Sequence, residues 1–117
     1  MSSLKRYDIW IADLNPQIGT EPGKVRPVVI IQTDFLNNTH FSTIVCPMTT
    51  QIVLESKLLR VHLSKGESGL KVPSDILIDQ IRSIDNKRFI KKIGTLVRQR
   101  RKILNENLRI VLDLESI

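Results

Sequence analysis

Val28-Val29-Ile30-Ile31 sets four β-branched residues side by side directly after Pro27. Such a run is too short and too branched for an ordinary helix, and suits a strand buried on both faces. Thr43-Ile44-Val45-Cys46 has the same character and is expected to stop at Pro47. Tyr7 to Ala12 and Leu59 to Leu63 alternate apolar with polar, as half-buried strands do. Ile76-Leu77-Ile78-Asp79 follows Pro73-Ser74 as a further apolar run, and Ile90 to Leu96, with Lys91, Lys92 and Gly94, reads as a short edge strand. Short strands joined by Gly- and Pro-bearing loops restrict the chain to a small barrel or sandwich. No repeat, low-complexity tract or linker divides it, so residues 1–117 are expected to form one domain.

The C-terminal segment follows another period. From Arg98 to Leu112 the apolar residues Ile103, Leu104, Leu108, Val111 and Leu112 recur every three to four positions, the mark of an amphipathic helix laid against the sheet. Arg98, Arg100, Arg101 and Lys102 crowd its N-terminus, where the helix dipole favours anions, while Asp113 and Glu115 sit near its C-terminus. A local rule broken at both ends can mark a functional surface, although the plainer and preferred reading is a solvated charged face.

The net charge is +6, which suggests a polyanionic partner, most often nucleic acid. The single cysteine, Cys46, excludes an internal disulfide and a cysteine metal cluster. There is no apolar run long enough to span a bilayer and no apolar signal-peptide core near the N-terminus. A cytoplasmic protein needing no cofactor, no metal and no membrane is therefore expected.

Charged and hydroxyl residues at strand edges carry the chemistry. Arg26 sits between Val25 and Pro27, and the proline holds its backbone extended. Its fork of donors matches phosphate oxygens. Thr49 and Thr50 follow Pro47, where a hydroxyl can donate to a phosphate or simply shape a turn. Asp79, Gln80 and Arg82 end the Ile76 run; an extended chain would send Gln80 and Arg82 to one face, with an Asp79–Arg salt bridge as the plain alternative. The loop Asn15 to Lys24 is long and rich in Gly and Pro, as is Ser64 to Ser74, and loops of this kind are usually functional or mobile. His40 and His62 have no orienting partner at a telling spacing, and Trp10 reads as core more readily than as a platform for stacked bases. Neither a phosphate-binding glycine loop nor a zinc-binding spacing occurs.

Asp8-Ile9-Trp10, Leu14-Asn15-Pro16, Gly19-Thr20-Glu21, Arg26-Pro27-Val28-Val29-Ile30, Pro47-Met48-Thr49 and Asp79-Gln80-Ile81-Arg82-Ser83-Ile84-Asp85, in this order and spacing, resemble the MazF/PemK/Kid family of bacterial toxins over nearly the whole chain. The resemblance implies a mainly β (α+β) fold, a small SH3-like barrel with a C-terminal amphipathic helix, working as a homodimer. It implies a toxin of a type II toxin–antitoxin system that cuts single-stranded mRNA at a short sequence without a metal, leaving a 2′,3′-cyclic phosphate and a 5′-hydroxyl. The family's catalytic arginine and threonine fall on Arg26 and Thr49, and an acidic residue that takes part in some members falls on Asp79. Thr20 stands where one branch carries a histidine, so no histidine base is expected there.

By this reading Arg26 stabilises charge on the phosphate and Thr49 positions it. Arginine is a poor base, so Glu21 and Asp79 are the candidates for catalytic support, with the base unassigned. Thr20, Lys24, Thr50, Gln80 and Arg82 are expected to bind RNA. DNA, lacking the 2′-hydroxyl, is expected to be bound but not cut. The implied partner is a cognate antitoxin with an acidic, partly disordered segment covering the same groove. The alternatives are a CcdB-like gyrase-binding toxin, which shares the fold without the active site, and a non-catalytic RNA-binding barrel.

Overall fold

A computed structural model describes residues 3–115. Among them run β1 (Asp8–Asp13), β2 (Val25–Ile30), β3 (Ser42–Thr49), β4 (Arg60–Leu63), β5 (Ser74–Leu77), β6 (Arg82–Asp85), β7 (Phe89–Thr95) and a closing helix α1 (Arg98–Val111). The fold is mainly β, a barrel-like antiparallel sheet with one C-terminal helix. The order across the sheet is β4-β5-β3-β2-β1-β7, with β6 joined to β3 beside that path. As expected from its lysines and glycine, β7 is an edge strand, paired among the described residues with β1 alone.

The hub is β3. On one edge it pairs with β2, setting Val29 opposite Cys46 and Val28 opposite Pro47. On the other it pairs first with β6, as far as Val45 opposite Arg82, and then with β5, from Met48 opposite Ile76 to Thr49 opposite Asp75. The strand therefore runs through Pro47, where the sequence predicts its end. The Ile31 amide donates to the Ile44 carbonyl at 3.1 Å, so the hydrogen-bonded pairs on the β2 side fall at 31/44 and 29/46. Pro47 occupies a non-hydrogen-bonded position, and its missing N–H faces the gap where β3 changes partner from β6 to β5. No ladder bond is lost there.

Burial on both faces divides the apolar side chains into two cores. Ile9, Val29, Cys46, Met48, Val61, Leu63, Ile76 and Ile78 pack on one side with Leu104 and Leu108 of α1. Trp10, Ala12, Leu14, Val28, Ile30, Val45 and Ile84 pack on the other. Consecutive residues of β1, β2 and β3 thus enter different cores, which is what an uninterrupted β-branched run predicts. Trp10 is buried edge-on against Phe89 with ring centroids 5.7 Å apart, a core residue rather than a base-stacking platform.

The helix spans the predicted residues to within one position, but it buries a narrower stripe than the pattern suggests, since Ile103 and Leu112 are exposed. Its basic start is partly structural. Arg100 grips Glu67 through two hydrogen bonds of 2.9 and 3.2 Å, and Arg101 donates to the Leu96 carbonyl at 2.7 Å while stacking on Tyr7. These two guanidiniums tie the helix to Glu67 and to Leu96, which gives two of the four basic residues at its start a structural role.

Candidate active site

Arg26 leaves β2 beside the end of β3. Its Nε donates to the Gly23 carbonyl at 2.8 Å and its Nη1 to the Met48 carbonyl at 3.2 Å. Those bonds fix the plane of the guanidinium and leave Nη2, which makes no hydrogen bond and is not among the buried unpaired atoms. Partial burial pulls the guanidinium below arginine's ordinary value, since desolvation penalises the charged form. It remains a cation at neutral pH.

Thr49 closes β3 one residue beyond Met48. Its hydroxyl oxygen accepts the Gln51 amide at 3.1 Å, an arrangement that shapes the turn and leaves the hydroxyl hydrogen available for another acceptor. The turn role and the donor role foreseen for Thr49 are therefore compatible. Arg26, Thr49, Thr50 and Lys24 line one cleft of about 550 Å³, together with Gln17, Gln51 and Arg60. Among the described residues no acidic side chain lines it. Such a cleft offers hydrogen-bond donors and positive charge to an anion.

A second cleft of about 340 Å³ adjoins it, lined by Thr20, Ser56, Asp79 and Gln80 among others. Pro22, Arg60 and Leu77 line both, so the two hollows share a wall. The predicted residues thus divide between neighbouring hollows. Asp79 is exposed there, and no Asp79–Arg ion pair forms among the described residues. Glu21 and Arg82 line neither cleft.

Arg82 is displaced for a backbone reason. The extended reading of Asp79 to Arg82 fails because Ile78–Gln80 forms a 3₁₀ turn, after which a separate strand, β6, begins at Arg82. Arg82 then pairs opposite Val45, four residues back along β3 from Thr49. At about 3.3 Å per residue that is on the order of 13 Å away.

The first long loop is closed at its stem. Leu14 N donates to the Lys24 carbonyl at 2.8 Å, Lys24 N to Asn15 Oδ1 at 2.9 Å, and Arg88 Nη1 to the carbonyls of Asp13 and Asn15. This holds Pro22 and Lys24 at the cleft, with Gln17 beside them.

Sequence reasoning missed Arg60, Asp75 and the partner of His62. Asp75 is wholly buried, and its Oδ1 accepts from His62 Nδ1 at 2.6 Å. Its Oδ2 accepts from Arg60 Nη1 at 3.0 Å and from the Val53 amide at 3.0 Å. The orienting partner of His62 lies thirteen positions away in sequence, on a neighbouring strand, where no local spacing reveals it. The one available signal was the strict alternation of Leu59 to Leu63, which sets Arg60 and His62 on the same face. Among the described residues no group of three or more His, Cys, Asp or Glu is placed to hold a metal ion.

The chain matches the family model described as PemK-like, MazF-like toxin of type II toxin–antitoxin system over residues 5–112. It is 38% identical over 111 residues to the protein named endoribonuclease EndoA of Bacillus subtilis (strain 168), covering 95% of this chain and 96% of that one. It is 36% identical to endoribonuclease MazF of Staphylococcus saprophyticus, over 97% of this chain and 95% of the relative. A solved structure of MazF from Deinococcus radiodurans superposes with a TM-score of 0.84 at 20% identity, covering 97% of this chain and 100% of the other, and supports the fold.

Proposed function

The chain belongs to the PemK-like, MazF-like toxins of type II toxin–antitoxin systems, and from that membership we propose that it is an endoribonuclease cutting single-stranded mRNA, with Arg26 and Thr49 as its catalytic residues. Named endoribonucleases at 38% and 36% identity over almost the whole chain support the activity. Neither the gyrase-binding alternative nor the silent barrel is favoured beside them.

The single observation behind the site is that Arg26 and Thr49 share one cleft, each with a donor left over after its structural bonds are made. RNA carries its own nucleophile. The 2′-oxygen attacks the adjacent phosphorus and loses its proton, the bond to the 5′-oxygen breaks, and that oxygen takes up a proton. The products are a 2′,3′-cyclic phosphate and a 5′-hydroxyl. The Arg26 guanidinium stabilises the charge that gathers on the non-bridging oxygens, and a preorganised donor of this kind is typically worth about 3–4 kcal/mol. Thr49 donates its hydroxyl to the same phosphate. Asp79, one hollow away, supports the site, and the general base stays unassigned.

Lys24 and Thr50 line the catalytic cleft and Thr20 and Gln80 the adjoining one, which extends RNA binding along more than one nucleotide. The +6 charge and the toxin–antitoxin family favour an acidic antitoxin segment as the competing occupant. A homodimer in the cytoplasm, with DNA bound but uncut, completes this reading.

Purified protein incubated with long mixed-sequence RNA in EDTA, followed by mapping of the new 5′ ends, tests the function. Cleavage at a recurring short sequence, lost in Arg26→Ala with the circular dichroism unchanged, is the expected result. Intact RNA under these conditions would sink the reading.

A further inference from the structure

We propose that Arg60 is a phosphate-binding residue joining the two clefts, and that the buried Asp75 is the positioning residue that holds it there. The inference rests on the RNA-cleaving reading above and extends it to a network which that reading does not use.

The register places this network beside the catalytic threonine. Thr49 lies opposite Asp75 across β3 and β5, and Asp75 lies opposite His62 across β5 and β4. The three side chains form one row on one face of the sheet, and Arg60, two residues from His62, shares that face. A carboxylate with no solvent contact is costly unless its lone pairs are filled. Those of Asp75 are filled by His62, Arg60 and the Val53 amide.

Arg60 is bound through a single nitrogen. Nη1 donates both to Asp75 Oδ2 at 3.0 Å and to the Gln51 carbonyl at 2.8 Å. Nε and Nη2 make no hydrogen bond and are not among the buried unpaired atoms. Three N–H donors of a guanidinium fixed in orientation are thus left in the wall that both clefts share. A phosphate one nucleotide from the scissile one would meet a preorganised fork there.

The same carboxylate also anchors the segment between β3 and β4. The bonds from Val53 to Asp75 and from Arg60 to Gln51 hold the first half of that segment against β4 and β5. Its residues Gln51, Val53, Ser56 and Leu59 line one cleft or the other. His62 serves as a fixed donor to Asp75: its Nε2 is buried without a partner, which sets it apart from a proton acceptor facing substrate.

The test is a double-mutant cycle on cleavage of a short single-stranded RNA containing the mapped site. Arg60→Ala is expected to raise KM on the order of tenfold, the loss of one charge-assisted phosphate contact, with kcat within about twofold. Arg60→Lys should recover part of the loss. Asp75→Asn should raise KM less than Arg60→Ala, and in the Arg60→Ala background should add almost nothing, because its effect passes through the guanidinium. Full additivity would overturn the positioning role, and an unchanged KM in Arg60→Ala would overturn the whole proposal.

A second measurement does not depend on cleavage or on Asp75→Asn folding. Fluorescence anisotropy with a fully 2′-O-methylated mixed-sequence oligonucleotide gives the salt dependence of binding. Arg60→Ala should flatten the slope of log K against log salt by about 0.7 relative to the unmodified protein, the share of one phosphate on a single strand. An identical slope, or no binding by the unmodified protein, would sink the proposal. Binding without cleavage of ordinary RNA would sink only the nuclease reading.

Discussion

The Arg26 side chain crosses from β2 to the end of β3, where its Nη1 donates to the carbonyl of Met48, the residue just before Thr49. A guanidinium bonded to the backbone next to the threonine cannot move independently of it. With Nε engaged by Gly23 and the Thr49 hydroxyl by the Gln51 amide, both side chains are tied to backbone atoms at neighbouring ends of β2 and β3.

Arg26→Ala is accordingly expected to lower kcat on RNA by about 10²–10³-fold, the usual effect of removing one preorganised donor from a transition state. Arg26→Lys should be almost as damaging. One ammonium on a flexible stem cannot keep both carbonyls and still reach a phosphate. Single-turnover cleavage of a mapped RNA site checks both. Activity in Arg26→Lys within about threefold of the unmodified protein would argue against the forked geometry.

Thr49→Val preserves shape but removes both the donor and the acceptor of the Gln51 amide. Its kcat should fall on the order of 10- to 100-fold, while Thr49→Ser, which keeps the hydroxyl, stays within a few-fold of the original. Parallel kinetics on one RNA substrate separate the two. Equal activity in Val and Ser variants would leave Thr49 only its turn.

Gly69 tests stability apart from chemistry. It sits at φ +83°, and a Cβ added there would collide with the backbone carbonyl of Ile93. Gly69→Ala should therefore destabilise the fold by about 2 kcal/mol or more, combining left-handed strain with displacement of β7. It lines neither cleft, so cleavage by the folded fraction should be unchanged. Urea midpoints compared under identical conditions measure the difference, and an unchanged midpoint would contradict the packing at β7.

Cys46 is buried in β3, and burial first, with the negative charge of Asp79 adding to it, pushes its thiol from 9.0 up to about 12. The folded-state value is raised, so its contribution to stability is full below pH 9 and is lost as pH climbs from 9 towards 12. Within that window the loss from this group is about 1.4 kcal/mol per pH unit. Native protein should resist thiol reagents at pH 8 and react fully in urea, and Cys46→Ala should show a shallower alkaline decline of the urea midpoint between pH 9 and pH 10. Rapid labelling of the native protein would contradict the burial.

Residues 28–31, 43–46 and 98–112 announced their structures because their character is local: β-branching and a three-to-four-residue period are properties of adjacent side chains. Pro47 misled because a proline's effect depends on which edge of the strand its missing N–H faces, and that is set by the partners β2, β5 and β6. The division of Asp79 from Arg82 misled likewise, since a 3₁₀ turn between two short strands leaves little trace in a run of mixed residues.

Of the candidate site, the sequence by itself determined the inventory: an arginine stiffened by the proline after it, two adjacent threonines, and a motif pattern specific enough to name a family. That Arg26 and Thr49 lie within β2 and β3 rather than just outside them was set by the pairing. Only the tertiary structure decided which of these meet. It set Arg26 and Thr49 in one cleft, moved Asp79 to the next, left Glu21 and Arg82 outside both, and joined Arg60, Asp75 and His62 into a network. The physical reason is that each meeting is a cross-strand contact between distant segments. Register fixes such contacts, and register comes from how the two cores fill.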